Sequence, residues 1–182
     1  MRRLALILLI AALTPLESAA AEPRIRDLVA TEEHGSISVS FRLEGAFDDP
    51  EIGRALQSGL PTVITYDLVL IRKRPNWFDD TITSSKIEVV ATYNSLTREY
   101  LLNYRRDRRL VSSGTFSSID ELKRAMANIR EPDAFGTAGR KPYKLRVRVR
   151  ADLLRRYVWY IIPWDVATPW EDTRVRSVGK PR

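Results

Sequence analysis

The chain of 182 residues contains no cysteine and only one histidine. Without thiols it can form no disulfide, zinc–thiolate site or iron–sulfur cluster, and no lipid can be attached to an N-terminal cysteine. The folded state must therefore be held by burial. The lone histidine, His34, cannot build a His-rich metal centre, and beside Gly35 it reads as a turn residue. Walker A, G-x-G-x-x-G, G-x-S-x-G and S-x-x-K patterns are all missing. A Ser–His–Asp arrangement would have to recruit His34, which nothing in the sequence orients. Asp48-Asp49 and Asp79-Asp80 stand where caps and turns form. Calcium binding would want more closely spaced acids. Glycoside chemistry would need two acids on different elements facing one cleft. No catalysis, cofactor or metal is expected.

Long apolar runs are also scarce: after residue 21 no stretch is long enough to span a bilayer as a helix. The exception lies at the start. Arg2-Arg3 precede an apolar core, Leu4 to Leu13, which is too short for a membrane span. Pro15 and then Ala19-x-Ala21 follow, ahead of Glu22. The pattern predicts a cleaved signal peptide over 1–21 and a single β-rich domain over 22–182, exported to the periplasm or cell envelope. Loss of 1–21 removes Arg2, Arg3 and Glu17 and takes the formal charge from +7 to +6.

What the remainder has in abundance is alternation. In Lys144 to Asp152, Leu145, Val147, Val149 and Ala151 face one way and the charges the other. Ser36 to Leu43 repeats this with Ile37, Val39, Phe41 and Leu43, and His34-Gly35 joins it by a hairpin turn to a strand over Arg24 to Glu33. Further strands are predicted over Thr62–Arg72, Thr81–Tyr93, Arg98–Arg105 and Arg109–Phe116. Two helices interrupt them. Asp49-Pro50-Glu51 opens one over about 50–58, with Gly59 beyond its end. Ser118-Ile119-Asp120-Glu121 opens another as a capping box, with an apolar stripe from Ile119 to Ile129 and Pro132 closing it. The fold class is mainly β: an antiparallel β-sandwich-like domain with two short helices. These helices, and long gaps without alternation, argue against an outer-membrane barrel. The tail, with Trp159, Trp164 and Trp170, reads as a last strand whose aromatics plug the open end of the core. The alternative is an aromatic-lined binding surface.

Arginine is the other abundance. Arg72-Lys73-Arg74, the Arg105–Arg109 cluster, Arg155-Arg156, and the row Lys144, Arg146, Arg148, Arg150 are dense in it. Arginine is the better fork for carboxylate and phosphate. Charges at i, i+2, i+4 repeat about every 6.6–6.8 Å along one face, so they repel unless acids on neighbouring strands answer them. Either Glu88 and Glu99 pair with the row, or it faces an anionic partner. The candidate partner-binding residues are Arg72, Lys73, Arg74, Trp77, Phe78, Lys144, Arg146, Arg148 and Arg150. An export signal argues against nucleic acid.

Gly59-Leu60-Pro61, the run Leu70 to Asp79, and Tyr93-Asn94-Ser95-Leu96-Thr97-Arg98-Glu99-Tyr100 resemble an uncharacterised bacterial exported family, domain of unknown function 4390. The likeness extends over nearly the whole chain after residue 21. It implies a signal-bearing protein encoded beside membrane sensor kinases of the nitrogen-regulation type, and hence an accessory to such a kinase in the cell envelope. It carries no catalytic residues over. The expected partner is an envelope protein, such as a sensor kinase periplasmic domain, or an anionic envelope component. The alternative is a carrier of a lipid-like or anionic ligand held between the sheets.

Overall fold

The computed structural model describes residues 22–74, 79–137, 139, 144–158 and 162–177, the side chains of 154–158 and 162–165 excepted. The predicted leader over 1–21 and the loop tip Trp77-Phe78 lie outside the described residues, as do the side chains of most tail aromatics.

Among the described residues ten strands and two α-helices follow in chain order: β1 (Arg24–Glu33), β2 (Ser36–Glu44), α1 (Pro50–Gln57), β3 (Thr62–Arg72), β4 (Asp80–Asn94), β5 (Glu99–Arg106), β6 (Arg109–Phe116), α2 (Ile119–Ala127), β7 (Asn128–Gly136), β8 (Leu145–Val158), β9 (Ile162–Ala167) and β10 (Glu171–Ser177). The protein is mainly β, as the alternation predicts. Period-two positions fill the interior: Ile37, Val39 and Phe41 on β2, Tyr66, Leu68 and Leu70 on β3, and Leu145, Val147, Val149 and Ala151 on β8 are all buried.

Local chemistry sets the corners. His34 and Gly35 both take left-handed backbone angles, φ 51° and 86°, the geometry of a two-residue hairpin turn. The Asn94 side chain accepts from the amides of Leu96 and Thr97, and Arg98 sits at φ 59°. This turn brings Tyr93 directly opposite Tyr100, with ring centroids 4.8 Å apart. In α1 the Asp49 carboxylate accepts from the Glu51 amide at 2.9 Å, and Ile52 and Leu56 turn inward.

The strands run β6-β5-β4-β3-β8-β10-β1-β2-β7, with β9 paired to the outer half of β8. One expectation is corrected here: the sheet is not purely antiparallel. The first part of β10 pairs antiparallel with β8 (Asp172↔Arg148), whereas its last residues pair parallel with β1 (Ala30↔Val175). β10 thus passes from one half of the sheet to the other.

The sheet curls strongly. β2 and β3 lie four steps apart on the path, about 19 Å if it were flat. Yet the rings of Phe41 and Tyr66 meet edge to face with centroids 5.1 Å apart. Helix α2 covers one end of the curl, burying Leu122 and Met126, and the Tyr66 hydroxyl donates to the Met126 carbonyl at 2.7 Å.

The second predicted helix was too long. It stops at Ala127, and Ile129 lies in β7, where Ile129 and Phe135 face the core opposite Phe41 and Ile37. Pro132 does not close a helix; it lies inside a strand. Proline is tolerated there because β7 is the last strand of the path and, among the described residues, pairs on one side only. The Ser118 hydroxyl caps α2 by accepting from the Asp120 amide at 3.3 Å.

Candidate functional site

The row Arg146, Arg148, Arg150 lies on the outer face of β8, between β3 and β10. The acids that answer it are not those expected. Glu88 stands on β4 opposite Thr65 and Arg105, and Glu99 on β5 opposite Asn94, so neither adjoins β8. Instead Asp172 of β10 lies 2.7 Å from Arg146 Nε. Arg150 lies 3.3 Å from both Asp67 of β3 and its own neighbour on the face, Asp152. Asp67 is shared with Lys86 at 3.4 Å. Among the described residues Arg148 has no carboxylate within 4 Å.

Trp170 completes this face. The Thr168 amide donates to the Ala151 carbonyl at 2.8 Å, while its hydroxyl accepts from the Ala151 amide at 3.0 Å. Those bonds fix the segment entering β10 and set the indole against both arginines, 5.7 Å from Arg148 Cζ and 5.0 Å from Arg150 Cζ. Such cation–π contacts contribute about 0.5–1 kcal/mol at partly exposed sites. Trp170 is 40% exposed, so it does not plug the core. The Nε atoms of Arg146, Arg148 and Arg150 are sealed from solvent without a hydrogen-bond acceptor among the described residues. For Arg146 this holds despite the short approach of Asp172, because its N–H does not point at the oxygen.

The other predicted basic residues cluster at one end of this strip, because Arg72 stands opposite Leu145, next to Lys144. Arg72 and Arg74 both engage Asp80, at 2.5 and 3.0 Å. Hydrogen bonding from Arg72, joined by the positive charge of Arg74, holds the Asp80 carboxyl below its ordinary range. The base of the 72–80 loop is thus tied down, and two of its three cations are partnered. Lys73 is exposed.

A second polar centre had no counterpart in the sequence reading. Glu131 on β7 faces inward opposite Val39 and is 4% exposed. Its carboxylate accepts from the Tyr104 hydroxyl and pairs with Arg106, both on β5. Burial, and next the bond to Glu131, push the Tyr104 phenol well above its ordinary pKa. These contacts cross the open seam between the two ends of the strand path. A cleft of about 490 Å³ runs along the seam, lined by Tyr104, Val111, Ser112, Ile129 and Glu131 among others. The only available signal was Glu131 alternating with Ile129, and the adjoining Pro132 masked it. Among the described residues no group of three or more His, Cys, Asp or Glu side chains converges to hold a metal.

Residues 20–173 match the model of a family described as Domain of unknown function (DUF4390). No curated protein and no solved structure matches the chain.

Proposed function

The chain belongs to the DUF4390 family, and from that premise we propose that it is a non-catalytic binding protein of the bacterial cell envelope, exported on the 1–21 leader. It docks an acidic partner, such as a sensor kinase periplasmic domain or another anionic envelope component, on the Arg146–Arg148–Arg150 face. In this reading the two halves of the curled sheet act as the layers of a sandwich and hold that face rigid.

The single observation that carries the reading is the setting of Arg148. Its guanidinium rests beside Trp170 between two arginines that already have carboxylates, and no described carboxylate neutralises it. A fork held in place by stacking has lost part of its rotamer entropy before a partner arrives, which favours bidentate capture of carboxylate. A carrier of a lipid-like ligand would instead need room inside. Tyr66, Leu68, Leu70, Val147 and Val149 are fully buried where such a ligand would lie, which favours docking over carriage.

The test is a titration of the protein against the periplasmic segment of a membrane sensor kinase, followed over a salt series. Reversing Arg148 and Arg150 (R148E with R150E) should weaken binding by roughly tenfold or more and flatten its salt dependence. Binding unchanged in affinity and salt response would remove this face from the proposal.

A further inference from the structure

The two end strands of the sheet differ in how their open edges are protected. Among the described residues neither β6 nor β7 pairs with a strand on its outer side, so each offers a row of backbone donors and acceptors. The β7 edge is blunted. Pro132 has no N–H to offer, Asp133 sits at φ 53°, and the register against β2 breaks between Ile37 and Val39. The β6 edge carries no such defence along its last residues: Ser112 to Phe116 contain neither a charge nor a proline.

Its other end is apolar and basic. Tyr104 pairs with Ser112 and Arg105 with Leu110, which leaves Val111 as an unopposed bulge residue. Val111 is 56% exposed and lines the seam cleft; Leu110 beside it is 61% exposed. At the adjoining hairpin Arg105, Arg108 and Arg109 are exposed, and none has a carboxylate within 4 Å among the described residues.

We infer that β6 accepts an extended segment of a partner protein as an added strand along Ser112–Phe116. An apolar residue of that segment enters the cleft beside Val111, and its acidic residues meet Arg105, Arg108 and Arg109. Main-chain bonds supply the affinity, while the cleft and the arginines supply the selection. Unmet positive charge at one end of the edge fixes the partner as acidic. It also disfavours a second copy, since joining two β6 edges brings together chains of strong net positive charge, formally +7 with residues 1–21 and +6 without them. This surface is separated from β8 by three intervening strands, β5, β4 and β3, and stands independently of the docking face proposed above.

The probe is a short synthetic peptide of alternating valine and threonine ending in aspartates, titrated into the isotope-labelled full chain. Amides 112–116 should shift and exchange more slowly. A peptide N-methylated at alternate residues should bind about tenfold more weakly or not at all. R108E with R109E should weaken binding several-fold, whereas R148E with R150E should leave it unchanged. Failure to bind, binding that survives N-methylation, or protection confined to β7 would each overturn the inference. So would slowed exchange of the same amides in a concentration-dependent dimer without peptide, which would assign the edge to a second copy.

Discussion

The Tyr104 hydroxyl on β5 donates to the Glu131 carboxylate on β7, two strands that stand seven steps apart on the hydrogen-bonded path. In a flat sheet they would lie about 34 Å apart. This contact and the Arg106–Glu131 pair therefore do across the seam what backbone bonding does everywhere else. Removing the carboxylate strands a phenol and a guanidinium that are both half-buried. Glu131→Ala should cost about 2–3 kcal/mol, below the range for fully buried pairs because Arg106 can turn to water. Tyr104→Phe should cost about 1 kcal/mol. Denaturant unfolding measures both, and midpoints that stay put would mean the seam is held by packing alone.

Tyr66 predicts an alkaline weakness. Burial raises its phenol pKa far above the ordinary 10.0, so the folded state keeps the proton that the unfolded chain loses. A raised folded pKa contributes stability that is complete below the unfolded value and is lost as pH climbs past it. Above pH 10 this residue alone should therefore cost about 1.4 kcal/mol of unfolding free energy per pH unit. Tyr66→Phe should lose about 1 kcal/mol at neutral pH, with its bond to Met126 gone. Its stability should then decline less steeply than the wild type above pH 10. Parallel slopes for the two proteins would refute the assignment.

The strands were legible wherever one face is buried and the other wet. That is the case for β2 and β8, and their inward residues were readable one by one. Caps and turns were legible because Asp49, Gly59 and His34-Gly35 have few other conformational uses. Order along the sheet was not. Alternation states which face is buried but not which strand lies alongside, so Glu88 and Glu99 were the natural partners for the β8 arginines. Only the path β3-β8-β10 supplies Asp67 and Asp172 instead. β7 was missed because α2 runs into it without a break. Its inward residues Ile129, Glu131 and Phe135 keep step, but the buried alternation is interrupted at exposed Asp133, which sits at φ 53°. Trp170 could be suspected but not placed, since its position follows from the Thr168–Ala151 bonds.

The β5–β6 hairpin offers a stabilising change. Asp107 and Arg108 occupy its turn at φ 48° and 67°. Asp107 is well matched, because its carboxylate accepts from the Ser85 hydroxyl and from the Lys86 amide at 2.8 Å. Arg108 has a Cβ in a conformation that glycine adopts freely. Arg108→Gly should raise stability by about 0.5–1 kcal/mol. A loss in thermal unfolding would mean that the arginine side chain makes a compensating contact.

Asp172 gives the most discriminating prediction about the basic face, because it separates stability from binding. Its carboxylate lies against Arg146, whose side chain is only 20% exposed. Asp172→Asn should cost up to about 1 kcal/mol, since the partner arginine keeps some access to water. The same change removes one negative charge from a surface that already holds Arg148 without a carboxylate. If acidic groups dock there, the variant should bind a sensor kinase periplasmic segment several-fold more tightly at low salt. The gain should shrink toward zero as salt shortens the screening length below about 8–10 Å. Trp170→Ala should move affinity the other way with little change in stability, because it frees the rotamers of Arg148 and Arg150. Opposite signs for these two substitutions are the signature of a preorganised anion-docking surface. Weaker binding for both would mean that the face is structural and that its arginines exist to be neutralised.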